Sequence, residues 1–379
     1  VTTNQLLFSL DEYHQRVARV RKHMQQRNVD LLLVDQTEFL FYLTGFSISE
    51  NMYRACLLPL EGDPVMILRA VDEGPFLEHT WMSDYVGFSD WEDPLEVIAA
   101  VVRRKGWKNS TIGIDEESYC LTLRRYRQLQ ELLPDNRIAD FSGVLEQLRA
   151  SKSPAEIAYV RQASHVCDVA MAEAIAEAGV GTSERDAAAV VHGCFMRMGA
   201  DTSRAGIITS GNGDAFLHGN LHNHPLASGD ILHMELLPFI RGYSARLMRP
   251  TVIGESTSKQ REIAERLLDI QDAQFAAMKP GVVAAELDSM VRKPLLSEGL
   301  RSSYPNISGY SLGYFPLSTP RTSDFTRVFR PNADWVLQPG MIFHMYVSAS
   351  GLAFSETVLV TETGIELLTK SPRKLSVAA

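Results

Sequence analysis

The sequence predicts two domains, an α/β domain over residues 1–150 followed by an α+β domain over 151–379. Three observations lead there. The chain has 379 residues, more than one typical domain. Its first part alternates helix-type and strand-type patterns, whereas its second part collects long helical stretches and long strand-like runs, as when helices gather on one side of a mostly antiparallel sheet. Between the two, LRASKSPAEI (148–157) is locally polar and carries a strong helix-start signal.

Taken in order, Ser9-Leu10-Asp11-Glu12 reads as a capping box that opens a helix to about residue 27. VDLLLV (29–34) has the apolar run of a buried strand. YRACLLPL (53–60) and PVMILR (64–69) flank Glu61-Gly62-Asp63 as the arms of a hairpin. A helix near 93–105, a strand at STIGID (110–115), a helix near 121–133 and a short strand at RIAD (137–140) complete the first domain. The second begins with Ser153-Pro154-Ala155-Glu156, an N-cap, a proline at the first helical position and a capping-box acid. Val160, Ala163, Cys167, Ala170, Met171, Ala174 and Ala178 then share one helix face. Further helices are expected from Ser183 and over 258–278 and 283–300, with strands at 205–210, 230–252, 341–348 and 352–361.

Composition narrows the function. A net charge of −9 without a Lys/Arg run argues against a nucleic-acid surface. No apolar run reaches a membrane span of roughly 18–20 residues. VTTNQLLFSLDEYHQR lacks the basic-then-apolar order of a signal peptide. Cys56, Cys120, Cys167 and Cys194 have no zinc-type spacing and are expected to be reduced thiols, which fits a cytoplasmic protein.

The segment GDILHMELLPFIRGYSARLMRPTVIG (229–254) poses the functional question. It reads as two strands folded back around Arg241-Gly242. Strand alternation puts His233 and Glu235 on one face, and Ser244, Arg246 and Met248 on one face of the return strand. Ionisable groups turned toward an apolar interior are costly unless paired or employed.

Four more stretches flank this one in a recognisable order: ITSGNGDAFLHGN (208–220), SGYSLGYFP (308–316), LQPGMIFHM (337–345) and GLAFSETVLVTETG (351–364). Together they resemble the pita-bread superfamily of methionine aminopeptidase, aminopeptidase P, prolidase and creatinase. The α/β domain in front resembles the creatinase/aminopeptidase P branch. The resemblance covers essentially the whole chain and implies a curved, mostly antiparallel sheet in the second domain. It also implies a homodimer whose N-terminal domains close over the neighbour, with Arg54 as a residue able to reach a partner's site.

The peptidases of that family hold two divalent metals with two Asp, one His and two Glu. In register, these fall on Glu235, Arg246, Tyr310, Tyr346 and Ser355, and only one carboxylate remains. A guanidinium in a ligand position repels a cation, so no metal and no other cofactor is expected. The sequence is similar to the metal-free members, creatinase and above all ectoine hydrolase: Glu at 235, the GYSLG form at 309–313, the QPGM-FH phrase and the tail TETGIELLTKSPRKL. It departs from ectoine hydrolase at Arg246, at Ala353 and in the length of the 46–54 loop.

The resemblance implies that His218 transfers a proton, a role suited to an imidazole. Glu235 either activates water or attacks carbon directly, unless it is simply an ion-pair partner of Arg246. Arg246 fits a substrate carboxylate. Tyr310, His344 and Tyr346 are candidates for contacting substrate or for packing in the core, and Glu356 for a supporting position. His218, His222, His224 and His233 form a weaker candidate metal cluster. The expected activity is metal-independent hydrolysis of a C–N bond in a small carboxylate-bearing nitrogen compound. A non-catalytic ligand- or peptide-binding module and an atypical metal-dependent Xaa-Pro peptidase are the alternatives.

Overall fold

The computed structural model describes residues 5–46, 52–202, 205–316, 319–320 and 327–379. Residues 47–51, the larger part of the 46–54 loop, therefore lie outside the described residues. The chain divides into two compact units, Val1–Arg149 with Pro316–Pro320, and Ala150–Phe315 with Arg321–Ala379.

The first unit runs α1 (Leu10–Arg27), β1 (Leu31–Val34), α2 (Thr37–Thr44), β2 (Ala55–Pro59), β3 (Val65–Arg69), α3 (Glu73–His79), β4 (Tyr85–Phe88), α4 (Pro94–Arg104), β5 (Thr111–Ile114), α5 (Leu123–Leu132), β6 (Arg137–Asp140) and α6 (Val144–Arg149). Its six-stranded mixed sheet has the order β4-β3-β2-β1-β5-β6. The β2–β3 hairpin stands as expected, and α2, α3 and β4 add elements that the sequence patterns did not signal. The Ser9 motif is only half a capping box: Ser9 Oγ accepts from Glu12 N, while the Glu12 carboxylate pairs with the buried Arg16.

The second unit runs α7 (Pro154–Glu177), α8 (Glu184–Arg197), β7 (Gly206–Gly211), β8 (Ile231–Leu236), β9 (Phe239–Ile240), β10 (Tyr243–Ser244), β11 (Leu247–Ile253), α9 (Ser258–Ala277), α10 (Ala284–Ser297), β12 (Gly309–Ser311), β13 (Val328–Phe329), β14 (Ile342–Ala349), β15 (Leu352–Val360), β16 (Ile365–Leu367) and β17 (Ser376–Ala378). Complete capping boxes start α7 at Ser153/Glu156 and α8 at Ser183/Asp186. The predicted face of α7 is buried from Val160 to Ala178.

Besides the two-stranded ladder β10-β9, its strands form a four-stranded sheet, β17-β11-β8-β7, and an antiparallel five-stranded sheet, β13-β12-β14-β15-β16. Hydroxyls of β15 join them. Met248 N donates to Ser355 Oγ at 2.7 Å, and Arg246 N donates to Thr357 Oγ1 at 2.8 Å. Strand alternation then sorts β8: Leu232, Met234 and Leu236 pack in one core with α7 and α8, leaving His233 and Glu235 on the opposite face. The return strand is reached through Arg241-Gly242, with φ of 52° and 77°, a two-residue type I′ turn. Asp201 secures it by accepting from both backbone N–H groups.

Cys56, Cys167 and Cys194 are buried thiols, whereas Cys120 is half-buried; all four are free. No helix among the described residues is long and apolar enough to cross a membrane.

Candidate active site

A pocket of about 450 Å³ opens in the second unit on the Glu235 face of the four-stranded sheet. Its floor is a row across three strands. Ile207, Glu235 and Met248 are register partners on β7, β8 and β11, and all three line it. Arg246, Tyr310, Tyr346 and Ala353 complete that side, and His218 lines it from an exposed turn.

Glu235 is 3% exposed, and Arg246 Nη1 donates to its Oε1 at 2.6 Å. Burial pushes the Glu235 carboxyl up, but the Arg246 cation, helped by His344, His233 and the hydrogen bond, outweighs it and holds the group below its ordinary value. The carboxylate is therefore ionised at neutral pH. The Arg246 guanidinium lies 5.3 Å from the Tyr310 ring centroid and keeps its charge. Burial raises both the Tyr310 and Tyr346 phenols, so each stays neutral, an O–H donor rather than a phenolate.

Two further histidines sit beside this floor. His233 and His344 are buried, and neither ring has a hydrogen-bond partner among the described residues. Burial pulls them down to about 4 and about 3, respectively, so both are neutral at pH 7. His344 packs edge-on to Tyr310, at 5.1 Å between centroids, and beneath Tyr346, but it does not line the pocket.

The His218 turn is anchored from α8. Buried Glu184 accepts from Ser210 N, Ser210 Oγ and His222 N, and its Oε1 lies 3.2 Å from His222 Nδ1. His222 is thereby employed in holding the loop, its ring 5.3 Å from that of His224. Among the described residues no group of three His, Cys, Asp or Glu side chains is arranged to hold a metal, the four histidines at 218, 222, 224 and 233 included.

Glu356, one residue out of phase with Ser355, points to the far face of β15. There it accepts from Arg249 Nη2 at 2.7 Å and from Thr369 Oγ1, away from the pocket. Arg54 belongs to the first unit, where it is buried and donates to Thr37 Oγ1 at 2.6 Å. Sequence patterns did not single out Asp214, Arg301, Asn306 or Ser348, which also line the pocket. Arg301 and Asn306 sit in an irregular segment after α10, where no periodicity assigns a side chain to a face.

The residues present do not fit a dinuclear metal centre. Such a centre needs several anionic oxygens around a bridging hydroxide. Here one carboxylate stands among the five positions, and a guanidinium occupies its Oε1. The two phenols are held protonated, and Ser355 Oγ accepts a backbone N–H.

Comparison with known proteins places this geometry in a family. Residues 158–362 match the model for metallopeptidase family M24, and residues 16–151 match the creatinase/prolidase N-terminal domain. The chain is 26% identical to the ectoine hydrolase of Halomonas elongata, with 98% of each chain covered. It is likewise 26% identical to the Xaa-Pro dipeptidase of Pyrococcus furiosus, covering 95% of this chain and 99% of the relative. Among solved structures, the prolidase from Pyrococcus horikoshii shares the fold with a TM-score of 0.82 over 95% of this chain and 99% of that chain, at 21% identity. The chain is a member of metallopeptidase family M24, carrying the creatinase/prolidase N-terminal domain ahead of its M24 domain.

Proposed function

We propose that this protein is a metal-independent hydrolase that cleaves a C–N bond in a small, carboxylate-bearing nitrogen compound. One observation carries the reading: the Arg246–Glu235 pair, an arginine and its ionised carboxylate at 2.6 Å on the floor of the pocket, where the peptidases of the fold use anionic metal ligands. The similarity to ectoine hydrolase supports it.

Glu235, ionised and held by Arg246, acts in this reading as the nucleophile. In this reading a bond forms between a Glu235 oxygen and the electrophilic carbon. The C–N bond breaks as protonated His218 gives its proton to the departing nitrogen. Water then adds to the enzyme-bound ester, its proton passes to His218, and the Glu235 carboxylate is released. The Arg246 and Tyr310 donors stabilise negative charge developing on the substrate. A homodimer is part of the same proposal and is measurable by sedimentation equilibrium.

The experiment is a turnover screen of cyclic amidine and guanidino acids, ectoine and creatine among them, with and without chelator. Acid-quenched single turnover is expected to trap a substrate-derived adduct on the Glu235 peptide, read by mass spectrometry; turnover with no such adduct makes Glu235 a base instead. Chelator-sensitive cleavage of Xaa-Pro dipeptides, restored by manganese, would replace this reading with a metallopeptidase. Ligand binding without turnover across the screen would replace it with a binding module.

A further inference from the structure

We propose that Arg301 is the residue that selects a carboxylate in this pocket, leaving Arg246 to Glu235. The inference rests on the reading of the pocket as a site for small carboxylate-bearing nitrogen compounds, and it names the group that recognises the acid.

Among the described residues, two guanidinium groups line the cavity. Nη1 of Arg246 is engaged by Glu235, and both side chains are largely buried. A substrate carboxylate placed on Arg246 would set two anions side by side on one cation, which is unfavourable in a desolvated site. Arg301 is differently situated. Its hydrogen bond among the described residues is a long one, 3.3 Å from Nη1 to Ser348 Oγ. Its acidic neighbour Asp214 stands 4.0 Å from Nε, beyond hydrogen-bond reach, and Asp214 Oδ1 accepts from Gly351 N instead.

The Arg301 side chain is 12% exposed, so its charge is only partly solvated and acts strongly across the cavity. Its guanidinium carbon lies 4.8 Å from the Tyr304 ring centroid, a cation–π contact that helps hold the side chain against the wall. The wall that carries it is braced from behind. Arg292, bonded to buried Asp288, donates to the carbonyls of Tyr304 and Asn306, and Ser308 Oγ donates to Asp288 at 2.7 Å. A preoriented guanidinium with open donors, on a rigid wall beside Asn306 and Ser348, is a carboxylate receptor. The apolar side chains of Ile207, Met248, Ile307 and Ala353 complete a cavity suited to a small body between an anionic end and a reacting end.

The test compares three acids, ectoine, creatine and N-acetylglycine, with their primary carboxamides, using dissociation constants from saturation-transfer NMR. Wild type is expected to bind at least one acid about tenfold or more tightly than its amide, the size of one charge-assisted contact. R301Q is expected to abolish that preference, and R301K, which keeps the charge without the fork, to retain part of it. Melting curves of both variants separate loss of recognition from loss of fold. Acid preference undiminished in folded R301Q and R301K overturns the Arg301 assignment while leaving the pocket a carboxylate site. Absence of acid preference in wild type for every pair overturns the carboxylate reading itself, and this inference with it.

Discussion

Glu235 and Arg246 form a buried pair in which each needs the other. Removing the cation alone leaves an ionised carboxyl under burial, so Arg246→Met should raise the Glu235 pKa, abolish turnover and destabilise the fold by about 3–5 kcal/mol. The double variant Arg246→Met/Glu235→Met should recover much of that loss, because an apolar pair carries no uncompensated charge. Denaturant titration of both variants and of the Glu235→Met single variant measures this. Additive losses in the double variant would mean the two residues act separately.

His233 and His344 make a second prediction, of acid sensitivity. Both are held neutral by burial, with folded values of about 4 and about 3 against 6.5 for the free group. The unfolded chain therefore takes up protons first, and stability falls as pH drops from about 6.5 toward 4, by up to about 1.4 kcal/mol per pH unit for each histidine. Glu235 adds to the loss only below about 4.5, the ordinary value from which its own is lowered. His344→Phe should flatten the slope by about one proton and cost little at pH 7, because the imidazole nitrogens have no hydrogen-bond partner to lose among the described residues. Urea midpoints at pH 4.5 and 7 decide it, and an unchanged slope would place the acid-labile group elsewhere.

At the scale of elements, the site depends on contacts that strand pairing alone does not supply. Thr357 Oγ1 both accepts from Arg246 N and donates to Arg246 O, so a β15 side chain holds the backbone of the residue that serves the pocket. Thr357→Val preserves shape but strands two buried polar groups. It is expected to cost about 1–3 kcal/mol and to lower kcat more than it raises KM. Glu184→Ala should act on the other wall. Freed from its three donors, the His218 turn loses its anchor and kcat falls, while helix α8 keeps its Ser183/Asp186 cap. Circular dichroism beside steady-state kinetics tests the pair; unaltered kinetics in the Thr357 variant would show that Arg246 is positioned by its own strand.

These elements also show what could be read in advance. The β8–β11 hairpin was legible because Arg241-Gly242 combines a turn signal with period-2 alternation on both sides. The caps of α7 and α8 were legible because a cap is chemistry local to four residues. Strands β4 and β6 are short and only partly buried, and α2 is buried on all sides; none has a clean polar–apolar period. RIAD (137–140) could still be read, whereas α2 and β4 were missed.

For the whole molecule, the donor set makes a prediction about metals. A protein that binds a metal only when folded is stabilised in proportion to the logarithm of one plus the ratio of free metal to its dissociation constant. With one carboxylate already occupied by a guanidinium, neither chelator nor added manganese, cobalt or zinc at 1 mM, roughly a thousandfold above the affinity of a dedicated site, is expected to shift the melting temperature by more than about 1 °C. Thermal scanning of protein purified without a metal-affinity column measures it. A rise of several degrees with one metal would sink the metal-independent reading at its root.

The sequence by itself determined the two-part organisation and the order of the principal elements, and it set a carboxylate and an arginine on one hairpin while leaving their pairing open. These follow from periodicity, caps and turns, which are local. It did not determine that Glu356 belongs to another buried pair, although alternation along β15 separates it from Ala353, because the phase of a strand that is buried on both faces shows no polar side. Nor did it single out Arg301, Asp214, Asn306 and Ser348. Those residues come from a turn, an irregular segment and a strand far apart in the chain, and only the packing of the two sheets with the braced 301–308 segment brings them to one cavity. Convergence of that kind is a long-range property, decided by tertiary structure because no local pattern encodes which side chains will meet.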